Sequence, residues 1–271
     1  MVNEIQIFDS LTHPTLDNNW IMPKYPVCAS VDVLLSQMQN YNICGAFAVG
    51  MKGIGGYDED AFLQMIMSEK ENKLYPIAFY IFGDKDKSAI YQDLLSIKSK
   101  GFVGIKLHPR IGEFTLEDVL LPYVIDLANE LGLVVVLCTY FYSNQAGNSK
   151  NNILSLIEML THIKSTSKVV LLHGGGVRLL EMMEVVRAFQ NTLLDLSLTM
   201  CKYAGSSLDL DIRFLFQQFD RRVCIGTDHP EISHKQLRER FNYFASYTTT
   251  EKAENIAYKN ILTFTGLNAL I

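Results

Sequence analysis

The chain has 271 residues, of which 48% are hydrophobic and 20% are charged, a balance that excludes an intrinsically disordered protein and predicts a substantial core. The formal net charge is −5 and the basic residues form no dense cluster, so we expect neither nucleic acid nor an anionic membrane as a partner. The sequence contains no run of about 18 apolar residues, which predicts that no segment spans a membrane.

The five cysteines are scattered and form no CxxC pair, as is typical of reduced thiols, so we predict a cytoplasmic protein. A small molecule is the expected partner. A homo-oligomer is as compatible with the sequence as a monomer.

Short apolar runs recur along the chain, and most are rich in β-branched residues. Runs that are apolar almost throughout are typical of parallel strands buried on both faces. The eight predicted strands are Glu4–Leu11, Gly45–Gly50, Leu74–Phe82, Gly101–His108, Gly132–Tyr140, Lys168–His173, Thr192–Thr199 and Arg221–Asp228.

Segments of helical periodicity separate these runs and follow the last of them. They are Val31–Asn42, Glu59–Glu71, Lys87–Lys100, Leu116–Leu131, Asn151–Ile163, Leu179–Gln190, Leu208–Phe219 and Lys235–Tyr247, with an additional helix over Glu251–Phe264. Strands that alternate with such helices imply right-handed crossovers and a parallel sheet. Eight units favour a (β/α)₈ TIM barrel over a doubly wound sheet. Because no linker divides the chain, we predict one domain over residues 1–271.

Polar residues stand where most of the predicted strands end. Inward side chains of a barrel fill a dry core up to the C-terminal rim, where active sites lie. Any one of these residues could instead be a loop residue or a helix cap. Burying several of them together costs several kcal/mol unless they pair with each other, a metal or a substrate. We therefore predict a reaction centre whose surest members are His13, His173 and Asp228.

Five motifs carry a resemblance to a known family. They are FDSLTHP at 8–14, GIKLHPR at 104–110, LLHGGG at 171–176, CIGTDHP at 224–230 and AYKNILTFTGL at 257–267. In this order and spacing they resemble the amidohydrolases, particularly the amidohydrolase-related group that also contains decarboxylases and lactonases. In that family the first strand ends in D-x-H-x-H, the fifth and sixth strands each provide a histidine, and the eighth provides an aspartate within G-[ST]-D-x-P. The resemblance covers almost the whole chain.

Two positions depart from the family pattern. Leu11 stands where the first-strand motif has its leading histidine, and Cys138 stands where the fifth strand should provide one. The resemblance still implies a metal site formed by His13, His173 and Asp228, with the thiolate of Cys138 as a fourth ligand for one divalent ion such as zinc. A metal-free site is an equal alternative, because some family members hydrolyse a lactone without metal.

The resemblance implies a hydrolase that cleaves a C–O bond of a lactone or ester, or a C–N bond, in a small carboxylated molecule. Asp228 would activate water while His13 and His173 polarise the carbonyl group. A metal-dependent decarboxylase and a catalytically inactive barrel remain alternatives.

Further basic residues are candidates for binding the substrate. Lys106 and Arg110 would bind its carboxylate with His108 nearby, and Arg178 would reach an anionic group. The glycines 174–176 could form a phosphate-binding nest or a tight turn, and the family match favours the turn.

Overall fold

A computed structural model of the chain describes residues 5–21, 29–69, 73–141 and 150–267. Its strands are β1 (Ile7–Thr12), β2 (Ile43–Val49), β3 (Leu74–Phe79), β4 (Gly104–Leu107), β5 (Val134–Cys138), β6 (Val169–Leu172), β7 (Thr192–Asp195) and β8 (Val223–Cys224). Its α-helices are α1 (Val31–Asn40), α2 (Glu59–Met67), α3 (Lys87–Lys100), α4 (Leu121–Glu130), α5 (Ile153–Thr161), α6 (Leu179–Ala188), α7 (Thr199–Lys202), α8 (Leu208–Gln218), α9 (His234–Ala245), α10 (Thr250–Glu254) and α11 (Asn260–Thr265).

The strands form one sheet in the order β1-β2-β3-β4-β5-β6-β7-β8, and at least one helix follows each strand. Neighbouring strands pair in parallel, as in the β4–β5 and β5–β6 ladders. The segment after β8 returns to β1, where Ser10 N donates to Ile225 O at 3.2 Å and Thr12 forms a parallel bridge with His229. This order and this closure are those of a (β/α)₈ barrel, so the predicted fold class is confirmed.

By the density of its contacts the chain divides into two compact units. The first unit comprises residues 1–76 and 195–271, and the second comprises residues 77–194. The core of the first unit is rich in aromatic rings, with Phe8 and Phe47 edge to face at 5.2 Å and Phe216 and Phe244 at 5.3 Å. The core of the second unit includes the strands β4 and β6, all of whose residues are buried. Within the described part of the chain, no helix is both long and apolar enough to span a bilayer.

Several predicted boundaries were too wide. The predicted seventh strand ran to Thr199, but the chain leaves the sheet after Asp195, and Leu198 takes a positive φ of 62° before α7. The predicted helix Leu116–Leu131 begins at Leu121, because the Asp118 carboxylate accepts the Leu120 amide in the preceding turn. Glu4 and residues 70–71 of the predicted elements lie outside the described residues.

The predicted final helix Glu251–Phe264 is broken by a π-helical turn at Asn255–Lys259. Two asparagines explain the break, because their side chains bond to the segment that enters β8. Asn255 Nδ2 donates to Asp220 Oδ2 at 2.7 Å, and Asn260 Nδ2 donates to Asp220 O and Val223 O at 2.6 and 2.7 Å. These bonds anchor the C-terminal helices to the strand that leads to Asp228.

Candidate active site

The first unit brings two of the predicted residues, His13 and Asp228, into contact. Backbone bonds fix both strand ends: His13 N donates to His229 O at 2.8 Å and Asp228 N donates to Leu11 O at 2.9 Å. The His13 Nε2 atom then lies 3.2 Å from Asp228 Oδ1. His13 is 1% exposed and the Asp228 side chain 13% exposed, so a small molecule would reach the aspartate more easily than the histidine.

The contacts of the His13 ring define its protonation. Nδ1 lies 2.7 Å from Val49 O, and a carbonyl oxygen only accepts, so Nδ1 carries a proton. Nε2 faces the Asp228 carboxyl group at 3.2 Å, and a proton that one of the two atoms donates and the other accepts makes this contact favourable. The contact directs one oxygen of the Asp228 carboxyl group at the imidazole.

The backbone at Asp228 is strained. Its φ is +59°, a left-handed conformation that costs a non-glycine residue about 1–2 kcal/mol and that aspartate tolerates better than most. Neighbouring bonds hold the turn, because Glu231 N donates to Asp228 O and His229 N donates to Thr227 Oγ1, both at 2.9 Å. Strain of this kind, held by surrounding structure, is common where a side chain must be aimed.

A buried network under this turn is centred on Asp9, the first residue of the D-x-H-x-H motif. Asp9 accepts the amides of Leu11 and Thr227 at 3.1 and 2.9 Å and the Thr227 hydroxyl at 2.6 Å. His234 Nε2 lies 2.9 Å from Asp9 Oδ2, and both side chains are fully buried. Asp9 thus joins β1 to the turn that carries Asp228. No motif in the sequence indicated His234, which immediately precedes the predicted helix Lys235–Tyr247.

His229 is the neighbour of Asp228 but does not share its role. Its side chain is fully buried and packs 5.7 Å from the His234 ring, and neither ring nitrogen has a hydrogen-bond partner within the described residues. Burial, followed by the charges of His234 and His13, lowers its pKa to about 3, although Asp228 acts in the opposite direction. His229 is therefore a neutral core residue at ordinary pH.

The second unit brings together His108, Arg110 and Cys138. Arg110 Nη2 lies 3.4 Å from both Cys138 Sγ and His108 Nε2, and the Arg110 guanidinium lies over the Tyr140 ring at 5.4 Å. Lys106 belongs to the same strand end and is only 2% exposed. We call Lys106, His108, Arg110 and Cys138 the basic cluster.

Two opposing effects act on the Cys138 thiol. Burial raises its pKa, but the charges of His108 and Arg110 and hydrogen bonds from His108 and His173 outweigh burial, so the pKa lies well below its ordinary value. Burial is also the main reason why the pKa of His108 is lowered. The basic cluster therefore favours a thiolate, and it is an environment suited to other small anions.

His173 stands at the end of β6 with a positive φ of 67°, and the three glycines after it also have positive φ. A Cβ on Gly175 would lie 2.5 Å from Met182 Cγ, and the Gly175 amide donates to Thr139 Oγ1 at 3.3 Å. The glycines therefore form a tight turn that only glycine permits, and the Gly175 amide is already occupied. This geometry supports the turn rather than the phosphate nest.

Arg178, predicted to bind an anionic group, lies at the surface immediately before α6. Its guanidinium pairs with Glu181 Oε2 at 3.0 Å, and both side chains are about half exposed. Its role toward a substrate stays a prediction.

The described residues do not fit the predicted metal site. Among them, no group of three or more His, Cys, Asp or Glu side chains is arranged to hold an ion. His13 and Asp228 supply two donors in the first unit, and Leu11, at the position of the missing histidine, is fully buried hydrocarbon. Catalytic zinc generally keeps three protein ligands, so we derive no chemical step through a metal.

Comparison with known proteins places the chain in a family. Residues 74–265, more than half of the chain, match the family model described as amidohydrolase. The chain therefore belongs to the amidohydrolase family, as the motifs predicted. No curated protein matches it.

Similar solved structures share the fold over nearly their whole length. A probable 2-pyrone-4,6-dicarboxylic acid hydrolase from Acinetobacter baumannii, with citric acid bound, is 17% identical, and the match covers 96% of this chain and 99% of that one with a TM-score of 0.70. An uncharacterised TIM-barrel protein from Bordetella bronchiseptica has the same identity and coverage and a TM-score of 0.76. A 2,6-dihydroxybenzoate decarboxylase from Rhizobium is 10% identical over 97% of this chain and 99% of its own, with a TM-score of 0.65. At these identities the likeness shows the fold alone.

Proposed function

We propose that the protein is a hydrolase that cleaves a C–O bond of a lactone or ester, or a C–N bond, in a small carboxylated molecule. The observation that carries this proposal is the contact between His13 and Asp228. It combines a carboxyl group in contact with an imidazole, a partly open position and a constrained backbone conformation at Asp228. Membership of the amidohydrolase family supports this assignment.

Asp228 acts as the general base. A water molecule gives a proton to the free oxygen of its carboxylate while the water oxygen attacks the carbonyl carbon. The carbonyl π electrons move to oxygen and form a tetrahedral oxyanion. When the intermediate collapses, the bond to the leaving oxygen or nitrogen breaks, and the proton held by Asp228 passes to the leaving group. The carboxylate is then ready for the next turnover.

His13 supports this cycle by its charge. The imidazolium stabilises the ionised form of Asp228 before the reaction and the negative charge that develops during it. For His173 we propose the task predicted from the motif, which is to polarise the carbonyl group. Its constrained backbone at the end of β6 suits a side chain that must keep one direction.

The basic cluster provides the reason to expect a carboxylated substrate. Lys106 is almost fully buried and Arg110 presents a planar fork of donors. Such cations are stable under burial only when an anion accompanies them, and the Cys138 thiolate is one such anion. A substrate carboxylate would be a second. The Acinetobacter protein, which shares the fold, has citric acid bound, and citric acid is a small carboxylated molecule.

A decarboxylase is the second candidate, because structures of the same fold include the Rhizobium decarboxylase and a 5-carboxyvanillate decarboxylase from Sphingomonas paucimobilis. The family resemblance implies a metal for that reaction, and the described donors do not form a three-ligand site. We therefore rank hydrolysis first.

The test is a panel of carboxylated lactones, esters and amides, with carboxylated aromatic acids added to detect release of CO₂. The metal content of the protein is measured in parallel, with and without a chelator. Hydrolysis that is lost in Asp228→Asn and kept in Asp84→Asn, an exposed loop aspartate, supports the proposal. CO₂ release that depends on added metal would establish the decarboxylase instead.

A further inference from the structure

The only tryptophan of the chain, Trp20, lies on the His13 imidazole. The ring centroids are 5.3 Å apart and the planes differ by 20°, which is a stacked arrangement. On its other side the indole Nε1 donates to Glu231 Oε1 at 2.7 Å. Glu231 belongs to the turn of Asp228, since its amide donates to Asp228 O at 2.9 Å. The contacts therefore form a closed circuit from Asp228 through His13, Trp20 and Glu231 back to Asp228.

Backbone bonds anchor the segment that leads to Trp20. Thr15 N donates to Ala29 O at 2.8 Å and Leu16 N donates to Gly55 O at 3.0 Å. The loop leaves little free space beside the imidazole, because the cavity lined by His13 and Trp20 measures about 10 Å³, which is room for about one water molecule. Trp20 thus follows a backbone segment that is bonded to two other parts of the first unit.

This arrangement restrains the one motion of the imidazole that its hydrogen bonds leave open. The bond to Val49 O and the ion pair with Asp228 fix the two ring nitrogens, but they do not prevent the ring from tilting. A stacked indole prevents the tilt and attracts the imidazolium through its π face. It also keeps bulk water away from the imidazole, which strengthens the contact between His13 and Asp228.

We propose that Trp20 is a positioning residue, tethered by Glu231, that holds the His13 imidazole against Asp228. We call Trp20 and Glu231 the indole clamp. Its effect on turnover rests on the proposed function, whereas its effect on the environment of the indole does not. The two can therefore be tested separately.

The first test is the fluorescence of Trp20, which needs no substrate. Stacking on a protonated imidazole quenches indole emission, so His13→Gln should raise the intensity without moving the maximum. Glu231→Ala removes the tether, so it should raise the intensity and shift the maximum to longer wavelength as the indole meets water. Glu239→Ala, an exposed glutamate on α9, is the matched control and should change neither property. A Glu231→Ala protein with the emission of the wild type would overturn the clamp.

The second test separates kcat from KM on whichever substrate the panel identifies. Trp20→Leu removes both the ring and the donor, and it should lower kcat by about tenfold to a hundredfold, as misplacement of a catalytic group does, with KM changed by less than about threefold. Trp20→Phe and Glu231→Ala break the same bond from opposite ends. They should each cause a smaller loss, and the double variant should lose no more than either one.

Outcomes of the two tests are distinguishable. Additive losses in the double variant, or wild-type kcat in Trp20→Leu, would refute the positioning role. If Trp20→Leu fails to fold, Trp20→Phe and Glu231→Ala still test the positioning role. A protein that hydrolyses nothing on the panel refutes the proposed function, while its fluorescence still tests whether the indole clamp exists. Unchanged emission together with Asp228-dependent hydrolysis would refute the clamp alone.

Discussion

Removing the charge of Asp9 should strongly lower the stability of the first unit. Its side chain is fully buried and accepts from two amides and from the Thr227 hydroxyl, and one of its oxygens lies 2.9 Å from His234 Nε2. In Asp9→Asn the remaining carbonyl oxygen keeps the two amide bonds, but the new NH₂ group faces His234 and Thr227. Breaking a buried pair by removing one partner costs about 3–5 kcal/mol. Against a total of about 5–15 kcal/mol for a domain, that loss is large.

Urea unfolding followed by circular dichroism measures this loss. The control is Lys164→Ala, because the Lys164–Glu130 pair is more than half exposed on both sides and such pairs contribute at most about 1 kcal/mol. We expect Asp9→Asn to lower the free energy of unfolding by several times more than the control. The double variant Asp9→Asn with His234→Gln should lose less than the sum of the single losses. Equal losses for Asp9→Asn and the control would refute the buried-pair argument.

Three further predictions follow from local geometry. Iodoacetamide at mildly acidic pH should label Cys138 before Cys224, since both thiols are buried, but the pKa of Cys138 is lowered while burial and the charge of Asp195 raise that of Cys224. Peptide mass mapping that found Cys224 first would contradict this. Below pH 6.5, the ordinary pKa of histidine, His229 gains a proton in the unfolded chain but stays neutral in the folded protein. It therefore lowers the free energy of unfolding as the pH falls from 6.5 toward 3. His229→Gln should reduce this loss of stability, as measured by the midpoints of urea unfolding across this pH range. Gly175→Ala should lower stability by about 1–3 kcal/mol and more than Gly205→Ala, since both have positive φ but only the first meets a neighbour; equal melting temperatures would contradict the clash.

Apolar patterning predicted the fold because buried parallel strands need almost nothing but β-branched and aliphatic residues. The periodicity even located α3 at Lys87–Lys100 without error. It missed α7 and the π-helical turn, because these depend on single events such as the positive φ of Leu198 and the side-chain bonds of Asn255 and Asn260. The periodicity of apolar residues does not indicate such local features.

Only part of the candidate site was predictable from the sequence. His13 and Asp228 stood out because a polar residue at a strand end is costly without a partner. Trp20 and His234 carry no such signal, since their partners Glu231 and Asp9 are more than 200 residues away in the sequence. Only the closure of β1 with the segment after β8 brings these residues together.

The proposed role of Asp228 as the base of a hydrolytic reaction is tested most directly by the turnover of Asp228→Asn on the best substrate of the panel, with folding verified by circular dichroism. Asparagine keeps the size of the side chain and an acceptor for His13 but cannot take a proton from water. We predict that kcat falls by about a hundredfold to ten-thousandfold. Wild-type turnover in this variant would contradict the mechanism.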